Sequence, residues 1–286
     1  RMKIPHRLQP LIDDGLIDQV LRRLKSGKEA DVFTVVCGDE IRCAKVYKEV
    51  TQRSFKQAVQ YQEGRKVRNS RHNRAMQKGS KFGKKQQEES WQTAEVDALF
   101  RLDNAGVRVP CPYVCIDGVL LMELVTDAGG AVAPRLSDIM LDEQQAEADF
   151  RVMIRQIVRM LCAGVVHGDL SEFNVLQSAE GPVIIDLPQA VDAAANHHAV
   201  SMFERDVGNI TAYYSQFAPA LADTQYAKEI WSLYAQGKLT PETPLTGRYA
   251  EQQHKVDMES LLDEIITAEN EHYERLRSIR QNNEDE

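Results

Sequence analysis

The run His167-Gly-Asp-Leu-Ser-Glu-Phe-Asn174, with Asp186 twelve residues beyond it at the end of Val183-Ile-Ile-Asp186, gathers residue types that can handle nucleotide phosphates. A nucleoside triphosphate binds as a polyanion with magnesium. That hard cation takes oxygen from one or two protein carboxylates or amides and the rest from phosphates and water. Asn174 and Asp186 are candidate metal ligands of this kind. Asp169, two residues past the histidine, is then free to orient a nucleophile. Alone, His-Gly-Asp is a weak signal, because a loop Asp is usually a turn or cap residue. The chemical reading therefore requires other parts: a small-residue loop that can approach phosphates, a strand cation, and an acid to hold it.

The N-terminal half supplies candidates for each. Ser26-Gly-Lys-Glu-Ala-Asp-Val32 lies between an amphipathic segment and the β-branched run Val32-Phe-Thr-Val-Val36, and reads as strand, turn, strand or helix, turn, strand. Small residues there let backbone N–H groups approach phosphate oxygens, making Ser26, Gly27, Lys28, Glu29, Ala30 and Val32 candidate nucleotide contacts. After a Gly38-Asp39 turn, Ile41-Arg-Cys-Ala-Lys-Val-Tyr47 alternates as a strand and carries Lys45. Helical spacing of Trp91, Ala94, Ala98, Leu99 and Leu102 places Glu95 beside an apolar face. A charge so placed needs a partner, and Lys45 is the obvious one. Val114 to Val125 reads as a hairpin around Asp117-Gly118, ending in Leu121-Met-Glu-Leu124, where Met122 and Glu123 are candidate hinge residues. Ahead of these parts, Leu11, Ile12, Leu16, Ile17, Val20, Leu21 and Leu24 predict an amphipathic helix over 10–24.

Six ordered motifs carry a resemblance. Ser-Gly-Lys-Glu-Ala-x-Val at 26 to 32, Ala-Lys-Val-Tyr-Lys at 44 to 48, Ala133-Pro-Arg-Leu136, His167 to Leu176, Ile185-Asp-Leu-Pro-Gln-Ala-Val191 and Arg205-Asp-Val-Gly-Asn209 together resemble the RIO family of atypical protein kinases, most closely its first subfamily. The resemblance implies an α+β, two-lobed protein-kinase-like fold. A small N-lobe would hold an antiparallel sheet plus a helix, and the C-lobe would be mainly helical, with truncated activation and substrate-binding segments. It implies ATP and Mg2+, or Mn2+ in its place, as cofactors. Asp169 would be the catalytic base, Asn174 and Asp186 would hold metal, and Lys45, fixed by Glu95, would neutralise phosphate. The implied reaction is transfer of the ATP γ-phosphate to Ser/Thr hydroxyls, the chain's own included. The alternative it implies is an ATPase switch through an aspartyl phosphate at Asp186, acting on a ribosomal or other RNA–protein particle. A small-molecule phosphotransferase is the third reading, and the Ser26–Ala30 and Ala133–Leu136 motifs argue against it.

Departures from ordinary protein kinases shape the expectation. Asp186-Leu-Pro-Gln189 replaces Asp-Phe-Gly, only twenty residues separate Asp186 from Asp206, and Ser171 stands where many protein kinases place a Lys. Nucleotide binding is therefore more secure than recognition of a protein substrate.

Domain boundaries are expected at 1–24 for the N-terminal helix, 25–125 for the N-lobe, 126–240 for the C-lobe, and 241–286 for a linker and acidic C-terminal helix. From Arg42 to Lys85 there are fourteen Lys or Arg against two acids, while from Tyr249 onward eleven acids face four bases, within a net charge of −8. The basic stretch 64–88 reads as a mobile loop. It is either a solvated insertion or a contact for RNA or a ribosomal particle, with Ser54, Ser70 and Ser80 as acceptor candidates. The sequence has no apolar run long enough to cross a bilayer, and its five Cys are an odd count that reads as reduced thiols of a cytoplasmic protein.

Overall fold

The computed structural model describes residues 4–48 and 94–250; the basic stretch 64–88, Trp91 and the acidic C-terminal segment lie outside the described residues. A single turn of 3-10 helix, His6–Leu8, leads into α1 (Gln9–Asp13) and then into β1 (Gln19–Ser26). The helix predicted over 10–24 is thus confined to its first turn. Gly15 takes a left-handed φ of 73°, where glycine alone is unstrained, and closes the helix. Asp18 N–H then donates to Val36 O at 2.8 Å and starts strand pairing. Helical spacing would have buried Leu16 and Leu21, yet they are 40% and 41% exposed.

β1 pairs with β2 (Ala30–Cys37), β2 with β3 (Glu40–Tyr47), and after the helix α2 over 94–104, β4 (Pro112–Ile116) pairs with β5 (Val119–Glu123). The resulting antiparallel sheet has the order β1-β2-β3-β5-β4. Asp117 and Gly118, both with positive φ, make the two-residue β4–β5 turn that the dipeptide predicts. Strand alternation sorts the two faces. Phe33, Val35, Ala44 and Val46 meet Leu8, Leu11 and Ile17 on one side. Lys45 and Tyr47 point to the other side, where Val96, Leu99 and Leu102 of α2 also pack. The period of two therefore forces Lys45 toward the lobe interface.

The second lobe is built on α3 (Glu143–Cys162), capped by Asp142, whose Oδ1 accepts from Gln145 N at 2.8 Å. Short pairs follow: β6 (Val165–Val166) with β9 (Val191–Asp192), and β7 (Val175–Ser178) with β8 (Gly181–Ile184). The helices α4 (Ala199–Ser215) and α5 (Tyr226–Ala235) complete the lobe. Phe150 meets Tyr214 edge to face in its core and the half-buried Tyr226 at a tilt. The stretch around 240–247, expected as a linker, is fastened to α5. Glu229 accepts from Thr246 N and Gly247 N, each at 2.8 Å.

A polar defect sits in this core. Asp149 is 4% exposed, and its Oδ2, Tyr214 Oη and Gln177 Oε1 all lack hydrogen-bond partners. Burial raises the Asp149 pKa, and contacts with Gln145 and Gln177 offset only part of that rise. A carboxyl whose pKa is raised by folding favours the fold below its unfolded pKa and loses that contribution as pH climbs through the folded value. Asn at this position keeps the shape and supplies N–H donors that the orphaned oxygens need. Asp149→Asn is therefore expected to raise the melting temperature by a few degrees at pH 7, roughly 2–4 °C per kcal/mol, with the gain shrinking toward pH 4. Scanning calorimetry across that range checks it; a gain that does not depend on pH would count against the charge argument.

Candidate active site

The two lobes face each other across a cleft of about 560 Å3. Lys45 enters it from β3, with Nζ 2.5 Å from Glu95 Oε1 and 3.5 Å from Asp186 Oδ1. Burial alone would lower the lysine pKa, but Glu95 and Asp186 together carry it above its ordinary value. The cation is thus fixed in its charged form. The Tyr47 ring lies 5.3 Å from the same Nζ, and burial, then Glu95, pushes its hydroxyl well up, so it stays neutral.

Opposite, Ser26 to Ala30 forms the turn between β1 and β2, closed by Gly27 N–H donating to Ala30 O at 2.9 Å. Gly27, Lys28, Glu29, Ala30 and Val32 all line the cleft; Ser26 does not, and accepts from Lys48 Nζ at 3.2 Å instead. Lys48 also reaches Gly27 O at 2.8 Å and Asp31 Oδ1 at 3.1 Å, and its N–H donates to Glu29 O. Sequence reasoning quoted Lys48 within a motif but gave it no task; here it clamps the turn. Burial and the like charges of Glu95 and Asp186 raise the Glu29 pKa against the pull of Lys45 and Lys28. A carboxylate there repels phosphate, so the turn offers phosphate its backbone and Lys28, not the Glu29 side chain.

Met122 and Glu123 line the far wall with Cys43, whose thiol burial pushes up to about 12. The Glu123 carboxylate forks onto Arg108, with both distances 2.7 Å, and accepts from Cys111 N at 3.1 Å. Its own N–H goes to Cys111 O. Of its hinge groups, the carbonyl is what remains for a base.

The loop from His167 to Asn174 is held from behind. Asp206 on α4, 2% exposed, accepts from Gly168 N at 2.7 Å and from Leu170 N at 3.0 Å. Burial raises its pKa, while the two N–H groups and the Arg205 guanidinium pull it back. Arg205 donates to Gly168 O at 2.5 Å, and Asn209 to Leu170 O at 3.0 Å. Asp169 N–H donates to His167 Nδ1 at 3.2 Å, which leaves Nε2 to carry the proton that Ile185 O accepts at 3.1 Å. Asn174 Nδ2 donates to Asp169 O at 2.8 Å and to its Oδ2 at 3.3 Å. The amide oxygen of Asn174 is thus the atom left for a cation.

Hairpin register brings the second candidate ligand alongside. Val175 pairs with Ile184, and Ile185 N–H donates to Asn174 O at 3.0 Å, so Asp186 follows directly, with φ 69°. Among the described residues no cluster of three or more His, Cys, Asp or Glu is placed to hold a metal on its own. One amide and one carboxylate suit a hard divalent cation that takes its remaining oxygens from phosphates and water. The predicted residues Lys45, Glu95 and Asp186 share the cleft; Asp169 and Asn174 adjoin it through the hydrogen bond from Ile185 N to Asn174 O. Asp206 escaped assignment because a helix acid in sequence reads as a solvated one.

An antiparallel lobe carrying a buried lysine, joined to a helical lobe carrying this loop, is the two-lobed fold of the protein-kinase class. The RIO domain family model matches residues 31–227. The chain belongs to the RIO family. It is 35% identical over 225 residues to the RIO-type serine/threonine-protein kinase Rio1 of Haloferax volcanii, covering 76% of this chain and 70% of that one. It is 28% identical to serine/threonine-protein kinase RIO1 of Homo sapiens and 27% identical to rio1 of Dictyostelium discoideum, over 74% and 81% of this chain. It spans only 36% and 38% of those two longer relatives.

Asp206→Asn replaces one acceptor oxygen with N–H donors that oppose Gly168 N–H or Leu170 N–H. Leaving a buried donor unpaired costs roughly 1–3 kcal/mol, so turnover should fall about tenfold or more while nucleotide affinity stays within twofold. Fluorescent-nucleotide titration beside steady-state turnover measures the split; a matching loss of affinity would show that Asp206 serves the whole cleft.

Proposed function

We propose that this chain is a RIO-type serine/threonine protein kinase that uses ATP with Mg2+, or Mn2+ in its place. The observation that carries the reading is the convergence, from two lobes, of the Lys45–Glu95 pair on Asp186, with Asn174 and Asp169 adjoining. Phosphoryl transfer is catalysed mainly by positioning and charge, and these residues supply both. The Ser/Thr oxygen attacks the γ-phosphorus, the bond from that phosphorus to the ADP oxygen breaks, and the hydroxyl proton passes to Asp169. Asn174 fixes the Asp169 carboxylate, and Asp206 fixes the backbone beneath it. Lys45 and Lys28 offset phosphate charge. Asn174 and Asp186 would hold the divalent cation, which neutralises charge on the phosphates when bound.

A second reading is supported by Asp186 itself, whose partly exposed carboxylate stands 3.5 Å from Lys45. In that reading Asp186 takes the γ-phosphoryl as an acyl phosphate and water later releases it, giving an ATPase cycle. An RNA or ribosomal-particle partner rests on the charge of the 64–88 stretch alone, and binding that weakens steeply with added salt would support it. No helix among the described residues is long and apolar enough to cross a membrane.

Label from γ-labelled ATP and free phosphate, followed in one reaction, separate the readings. Asp169→Ala is expected to cut acid-stable label on protein at least a hundredfold, about 2.7 kcal/mol, with nucleotide affinity within twofold. Undiminished label in that variant sinks the assignment of Asp169. Label that hydroxylamine removes, and that Asp186→Ala abolishes, would favour the ATPase cycle.

A further inference from the structure

Residues 187–198, which join Asp186 to α4, are too few to build a separate peptide-docking segment beside Asp169. Two large apolar side chains instead stand exposed close by. Phe173, four residues past Asp169, is 54% exposed, and Met140 is 87% exposed. The 3-10 turn that carries Phe173, Glu172–Asn174, packs against a second one, Leu136–Asp138, two residues before Met140. Tyr213 braces the latter from α4 by donating to Leu136 O at 2.5 Å. These turns are rigidly backed, so the exposed aromatic is held out and not merely left loose.

Charge around them is mainly acidic, although Arg135 precedes the Leu136–Asp138 turn and Arg151 pairs with Glu147 at 3.7 Å. From Leu136 to Phe150 the chain carries five acids and no Lys or Arg, and Asp138, Asp142 and Glu143 are exposed. Glu172 adds to this field from the loop side, where it helps burial push the Tyr213 hydroxyl up to about 12. An apolar anchor within an acidic surround complements a segment with the opposite charge, and it repels nucleic-acid phosphate.

Resting on the kinase reading above, we propose that Phe173, with Met140 and the carboxylates of Glu172 and Asp138, forms the docking surface for a protein substrate. Its occupant is a segment whose acceptor Ser or Thr is flanked by Lys or Arg and followed closely by an aromatic or large apolar residue. Phe173 then receives that apolar side chain while the carboxylates select the basic flank.

Three peptides test this with the full chain. Lys-Gly-Ser-Lys-Phe-Gly-Lys has the sequence of residues 78–84; a second replaces its Phe with Ala, and a third replaces every Lys with Glu. The first should be labelled with kcat/KM about tenfold above each of the others. In Phe173→Ala the advantage of Phe over Ala should vanish through a raised KM for the Phe peptide, while the use of the Ala peptide by the variant and by the parent stays alike. In the Glu172→Gln, Asp138→Asn double variant the advantage of Lys over Glu should collapse through a raised KM for the Lys peptide; Asp138 also lines the cleft, so nucleotide affinity is titrated alongside. Phe173 and Asp138 are exposed, and unchanged melting temperatures will show that the variants fold. Equal use of all three peptides, or preferences that survive the substitutions, overturns the proposal. So does a dimer in sedimentation velocity that depends on Phe173, since a second copy would then own the surface. If no peptide is labelled while phosphate is still released, the kinase reading fails and the docking surface falls with it. Label on peptides without preference refutes the surface alone.

Discussion

Lys45 is where the molecule is joined. Its ammonium meets Glu95 from a helix and Asp186 from the far lobe, three chain segments that share no local sequence. A buried cation without partners would be too costly to keep charged, so the position of α2 and of the Asp186 turn is dictated by it. Removing either carboxylate leaves the other to balance Lys45 alone. The sheet, through its period of two, aims the lysine; the helix and the turn must come to it.

The loop from His167 to Asn174 obeys a similar logic with the signs exchanged. Asp206 is a buried anion whose charge is met by two backbone N–H groups and by the neighbouring Arg205. Hydrogen bonds to a charged acceptor are among the stronger ones in a protein, and here they fix the backbone on both sides of Asp169. Asp169 is left with its carboxylate steered by Asn174 and its amide by His167. Each lobe therefore keeps one buried charge whose satisfaction orders the groups facing the cleft.

Much of this was legible in the residues. Asp117-Gly118 could make only a tight hairpin, and alternation around Lys45 placed it on the inner face. Glu95 beside an apolar stripe demanded a cation. The helix over 10–24 was misread because its apolar spacing fits both periods over a few turns, and the decision fell to Gly15 and to the pairing partner β2, which is remote in sequence. Glu123 lines the cleft as expected of a hinge candidate, but the fork of its carboxylate onto Arg108 was hidden, since a bond between residues fifteen apart has no local signature. The tasks of Lys48 and Asp206 were hidden for the same reason, since both act on backbone atoms brought close only by folding.

The turn Asp186-Leu-Pro-Gln189 carries a last consequence. Leu187 is buried in the helical-lobe core, its carbonyl accepts from Ala190 N at 3.0 Å, and Pro188 fixes the backbone between them. A switch needs two arrangements of similar free energy, and withdrawing a packed leucine from such a core costs about 1.5–3 kcal/mol before any strain is counted. The packed leucine therefore weights this turn toward one arrangement. Any rearrangement of these groups must first supply that burial energy, so the core itself selects the position in which Asp186 stands against Lys45.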